Sequence, residues 1–87
     1  MRMSKSELNL YDAESLYTEI LQELGSGDLH INMQGVNTID MSIIQLLISA
    51  QKSCLSQNKA FVLENVNAEL SNIFEKTDTG FLQGKAS

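Results

Sequence analysis

Hydrophobic positions fall into three helical stripes separated by short apolar runs. Ala13, Leu16, Tyr17, Ile20, Leu21 and Leu24 recur at i, i+3, i+4, i+7, i+8 and i+11, one face of a helix, with Asp12 as its expected N-cap. Gly25-Ser26-Gly27 supplies residues that tolerate a left-handed helix end. From Leu29 the period changes to two: Leu29, Ile31 and Met33 alternate with His30, Asn32 and Gln34, the pattern of a half-buried strand. Gly35 to Ile39 reads as a loop, and Asp40 caps a second helix running to about Ser56, with Gln57-Asn58-Lys59 at its end. Ala60-Phe61-Val62-Leu63 reads as a short, nearly continuous apolar strand. Asn67 then caps a third helix that buries Leu70, Ile73 and Phe74, with Gly80 expected to stop it near Thr77. The ten residues ahead of the first helix leave room for one weak strand. Strands alternating with helices predict a small α/β domain spanning residues 1–87, with a mixed β-sheet of about four strands covered by three or more amphipathic helices.

Composition narrows the functions open to such a domain. In 87 residues, 43% hydrophobic with no Trp and five Phe and Tyr together, the core must be mainly aliphatic. Asp and Glu outnumber Lys and Arg eleven to six, and the basic residues Arg2, Lys5, Lys52, Lys59, Lys76 and Lys85 stand singly, so a nucleic acid backbone finds no basic stripe. One cysteine, Cys54, and one histidine, His30, make neither an intrachain disulfide nor a zinc ligand set. The polar start from Met1 to Glu7 lacks the apolar segment of a signal peptide. The longest apolar stretch, Ile43 to Ile48, is interrupted by Gln45 and too short to span a bilayer. We therefore expect a cytoplasmic protein without cofactor or membrane insertion.

Candidate chemistry is sparse. Gly25-Ser26-Gly27 runs from helix into strand, the reverse of a phosphate-cradling loop, and reads as a helix end. His30 alternates outward on its strand, and Cys54 shares the apolar face of the second helix with Ile43, Leu47 and Ala50. Asp12 with Glu14, and Glu64 with Glu69, sit at helix starts where the dipole favours negative charge. No nucleophile is paired with a base, so the chain is not expected to be an enzyme. The segment Ile39 to Gln45 differs, because it links the carboxyl end of a strand to a helix start, where α/β folds place their sites. The second helix also carries a second apolar lobe, Met41, Ile44, Ile48 and Leu55, beside the core stripe of Ile43, Leu46, Leu47, Ala50 and Cys54. Ile48 and Leu55 are expected to pack within the domain. Met41 and Ile44, in the first turn, are expected to be exposed and to form a docking spot with Asp40 and Ser42.

Four segments then form a pattern in order: Glu7-Leu8-Asn9 leading into a helix, Ile39-Asp40 followed by Gln45-Leu46-Leu47, Phe61-Val62-Leu63-Glu64-Asn65-Val66, and Thr79-Gly80-Phe81. Together they resemble the STAS domain, the module shared by anti-sigma factor antagonists and the cytoplasmic tails of sulfate transporters. The resemblance implies a bacterial signalling protein in transcription regulation. Its partner would be an anti-sigma factor that is also a serine kinase, bound through Asp40, Met41, Ser42 and Ile44. It also implies a phosphoacceptor hydroxyl immediately after Asp40. This chain has Met41 there, whose thioether cannot accept a phosphoryl group, and Ser42 is the nearest candidate phosphoacceptor. Two alternatives share the fold: a small STAS subunit attached to the ATPase of a lipid-transporting ABC transporter, and a nucleotide-binding STAS domain, against which stands the lack of a P-loop. An open sheet edge would also allow a homo-oligomer.

Overall fold

The computed structural model describes residues 6–83; the polar residues 1–5, read above as free of a signal sequence, and Lys85 lie outside them. Eight elements follow one another: β1 (Glu7–Leu8), α1 (Leu10–Ser26), β2 (Leu29–Asn32), β3 (Thr38–Ile39), α2 (Met41–Ser56), β4 (Phe61–Glu64), α3 (Ala68–Lys76) and a 3-10 turn at Gly80–Gln83. The α/β class holds. The four strands pair as two parallel ladders, β1 with β3 and β2 with β4, and among the described residues no ladder joins the two pairs. The weak strand expected ahead of α1 is β1, and its partner β3 comes from the segment read as loop. Two residues of β3 pair with Glu7 and Leu8, so the pattern there is too short to show a period.

Helix ends follow local chemistry. Asn9, rather than Asp12, caps α1: its side chain accepts from the Tyr11 N–H at 2.9 Å, while the Asp12 carboxylate accepts from the Asn9 N–H at 3.0 Å. This reciprocal box starts the helix three residues earlier than the stripe implied and places Asp12 inside its first turn. At the end of α2, Asn58 takes φ +57°, the Asn58 N–H donates to Leu55 O and the Lys59 N–H to Cys54 O, which satisfies the last carbonyls. At the end of α3 the same arrangement forms around Asp78, φ +60°, with the Thr79 N–H on Phe74 O at 2.7 Å. Asp78 thus terminates α3 where Gly80 was expected to, and Gly80 opens the next turn.

One apolar core joins every element. Leu16, Ile20 and Leu24 of α1 meet Leu29 and Ile31 of β2, Ile43, Leu47 and Cys54 of α2, Leu63 of β4, and Leu70 and Phe74 of α3. Phe74 is fully buried, the large side chain around which an otherwise aliphatic interior closes. α2 packs against α1, against β4 and against the 3-10 turn, while α3 lies on β3. Asn67 holds the loop between β2 and β3 in place. Its carbonyl oxygen accepts from the Leu70 N–H, capping α3, and its amide donates to Val36 O at 3.0 Å and Asn37 Oδ1 at 2.9 Å. That loop leads straight to Asp40.

Candidate functional site

Two helix starts meet at one carboxylate. Asp40, extended at φ −98°, leaves β3 with its N–H on Leu8 O and caps α2. Its Oδ1 accepts from the Ile43 N–H at 3.2 Å and from the Ser42 hydroxyl at 2.5 Å. Its Oδ2 accepts from the Leu10 N–H, the first residue of α1, at 2.9 Å. The two helix N-termini therefore share one anionic cap, which suits the positive ends of both dipoles. These contacts, led by the Ser42 hydroxyl and opposed by partial desolvation, hold the Asp40 carboxyl below its usual range.

The four residues read as a docking spot separate in the structure. Asp40 is exposed, Met41 is 52% exposed and Ser42 is half-buried, so these three form one surface corner. Ile44 does not join them: it is 1% exposed and belongs to the core. The reason is that α2 has neighbours on two flanks and buries a wide arc, Ile43, Ile44, Leu47, Ala50 and Cys54, so the lobe at Ile44 is covered. Leu55, expected inside, is instead 69% exposed, and Ile48 is half-buried against the core. Met41, Ile48 and Leu55 stand seven residues apart, along one line of α2 that begins at the corner.

The sequence reading missed Leu10 and Tyr11, 66% and 91% exposed at the start of α1 and brought beside the corner by the bond to Asp40. Their signal was an apolar pair directly after Asn9, hidden by placing the cap at Asp12. Ser42 has a partner within its own turn, so its hydroxyl is a structural donor here. His30 faces Glu64 across the β2–β4 ladder, Nδ1 4.0 Å from Oε1, on the solvent side. Cys54 is fully buried, and burial pushes its thiol up. Among the described residues no group of three or more His, Cys, Asp or Glu could hold a metal ion, and no helix is long and apolar enough to cross a membrane.

The domain alternates strands and helices and presents the capped start of α2 directly at the end of β3, the place where α/β folds set their sites. The family model described as "Mlab, STAS domain" matches residues 5–82, and the chain belongs to the STAS domain family. It is a STAS-type regulatory or binding module, of a family that commonly mediates protein–protein interaction. A search of curated proteins finds no match.

Proposed function

We propose that this chain is a non-enzymatic regulatory module that holds one partner protein through the Asp40–Met41–Ser42 corner and the Met41, Ile48, Leu55 line of α2. Support comes from chemistry in sequence and space together: a charged, exposed cap and an exposed thioether open onto an apolar line that runs the length of the helix. In the first reading the partner is an anti-sigma factor with serine kinase activity, as the family's antagonists bind, and the protein acts in the cytoplasm of a bacterium. One observation carries the further point that binding is constitutive. The residue after Asp40 is Met41, and the hydroxyl that follows, Ser42, is turned onto Asp40 at 2.5 Å, not held free for in-line phosphoryl transfer. The same observation favours a second reading, a small STAS subunit permanently attached to a transporter ATPase, which needs no phosphoswitch.

The test is capture by purified candidate partners, an anti-sigma factor kinase with ATP and a transporter ATPase, followed by intact-mass measurement. We expect stable capture by one of them, no phosphate on this chain, and loss of capture in Leu55→Asp with melting unchanged. A stoichiometric phosphate that Ser42→Ala removes would overturn the constitutive reading. Full capture by Leu55→Asp would remove the α2 line from the interface.

A further inference from the structure

β4 is an edge strand, with β2 as its single neighbour among the described residues. The Leu29 N–H on Ala60 O and the Met33 N–H on Glu64 O fix which of its backbone groups face inward. Bonding residues alternate in a parallel ladder, so Ala60, Val62 and Glu64 turn toward β2. Phe61 and Leu63 turn their N–H and C=O groups the other way, where no strand lies beside them. The 3-10 turn at Gly80–Gln83 packs against β4 but shares no backbone hydrogen bond with it. The devices that blunt such an edge are missing from β4: it has no Pro and no bulge, and the Lys59 ammonium before it is drawn onto the Leu24 carbonyl.

The positions of the free groups select a register. A pairing of two identical edges about a two-fold axis is antiparallel, and it exchanges bonds only between outward-turned residues. Centred on Val62, it sets Phe61 of each copy against Leu63 of the other and uses every outward group of the strand. Centred on Leu63, it would set Phe61 against Asn65, whose φ of +57° takes it out of the strand; centred on Phe61, it would set Leu63 against Lys59, whose N–H is already on Cys54 O. The side chains agree with the Val62 register. On the core side half-buried Phe61 meets Leu63, and on the solvent side Val62, 37% exposed, meets its own copy, apolar on apolar throughout. Ala60 faces Glu64, so no two like charges are opposed.

We propose that β4 pairs antiparallel with β4 of a second copy of this chain about a two-fold axis at Val62, joining two β2–β4 ladders into one sheet. A strand of another protein could bond the same edge, but it would have to bring the matching apolar pairs that a second copy already holds. The seam is four residues long, well short of the ~800 Å² per partner of a standard interface, so the dimer is weak and reversible. The charge of −5 on each copy adds a repulsion that salt relieves. This edge is separate from the Asp40 corner, and the proposal stands whether or not that corner binds as proposed.

The test is sedimentation and NMR of the full chain from about 20 μM to about 1 mM, a range suited to a small interface. Dimer is expected to grow across that range, and to grow further as salt rises from about 50 to about 300 mM. Exchange of the Phe61 and Leu63 amides is expected to slow at least about threefold toward the concentrated end, while Val62 and Glu64, already bonded to β2, change less. In a mixture of labelled and unlabelled chains, a contact between the α-protons of Val62 in the two copies identifies the register. Val62→Lys and Val62→Glu, at an exposed position, are each expected to melt close to the parent protein and stay monomeric alone, yet to dimerise when mixed. The proposal is overturned by a chain that remains monomeric at about 1 mM, by dimers that both Val62 variants form alone, or by association that leaves the Phe61 and Leu63 amides unchanged. Protection of those two amides by an extended peptide of alternating Val and Thr, in a chain that itself stays monomeric, would also overturn it, by giving the edge to a strand of another protein.

Discussion

The carboxylate of Asp40 accepts from Leu10, Ser42 and Ile43 at once, so its charge state is tied to the geometry of two helix starts. Because these donors lower its pKa in the folded chain, ionisation stabilises the fold. That contribution is complete above the ordinary carboxylate pKa, about 3.9, and is lost as the pH falls through the lowered value. Asp40→Ala should therefore melt lower than the parent protein throughout the neutral range, with the gap closing only in acid below about pH 4. The Ser42 hydroxyl is the largest cause of the shift, so Ser42→Ala should move the Asp40 titration upward toward the ordinary value. Thermal melts of Asp40→Ala from neutral to acid pH check the first, and carboxyl carbon NMR of Ser42→Ala across the acid range checks the second. An unchanged Asp40 titration in Ser42→Ala would show that the hydroxyl does not face the carboxylate in solution. The same contact argues against Ser42 as a phosphoacceptor, since a phosphate there would replace a donor to Asp40 with a second anion beside it.

At the scale of the element, α2 has two kinds of apolar residue outside its core stripe, and single substitutions separate them. Ile44→Asp puts an unpaired carboxylate where the side chain is 1% exposed, a cost of several kcal/mol against a total stability of about 5–10 kcal/mol for a domain of this size. It should abolish cooperative melting, as should Leu47→Asp, whereas Met41→Asp and Leu55→Asp should melt close to the parent protein. Circular dichroism melts check all four, and a normally folded Ile44→Asp would return Ile44 to the surface. Here the limits of a single sequence are plain. The stripe Ile43, Leu47, Ala50, Cys54 and the caps Asp40 and Asn67 were legible, because periodicity and capping are local properties. Whether Ile44 or Leu55 is covered depends on how far β4, α1 and the 3-10 turn reach along α2, a tertiary fact that periodicity does not contain. The short strands escaped for a related reason. Thr38–Ile39 becomes β3 only because Glu7–Leu8 arrives beside it, and the bond from Leu10 to Asp40 joins residues thirty positions apart.

For the whole molecule, the two ladders divide the work of holding the fold and presenting the site. The β2–β4 ladder has four residue pairs and continues at both ends, with the Leu29 N–H on Ala60 O and the Met33 N–H on Glu64 O, and Leu29, Ile31 and Met33 are almost wholly buried. The β1–β3 ladder has two pairs, held by the Asn37 N–H on Ser6 O and the Asp40 N–H on Leu8 O, and it carries the candidate corner directly. Local opening costs least where buried apolar contacts and ladder bonds are fewest, so the corner should open without unfolding the core. In native-state hydrogen exchange the amides of Leu29, Ile31 and Met33 should exchange at the rate of global unfolding, while those of Asn37 and Asp40 exchange at least about tenfold faster. Binding of a partner at the corner should slow Asn37 and Asp40 more than the β2–β4 amides, because it stabilises the weaker ladder first. Equal exchange in both ladders would mean that the domain opens only as a whole, and a partner would then have to meet the corner as a rigid surface.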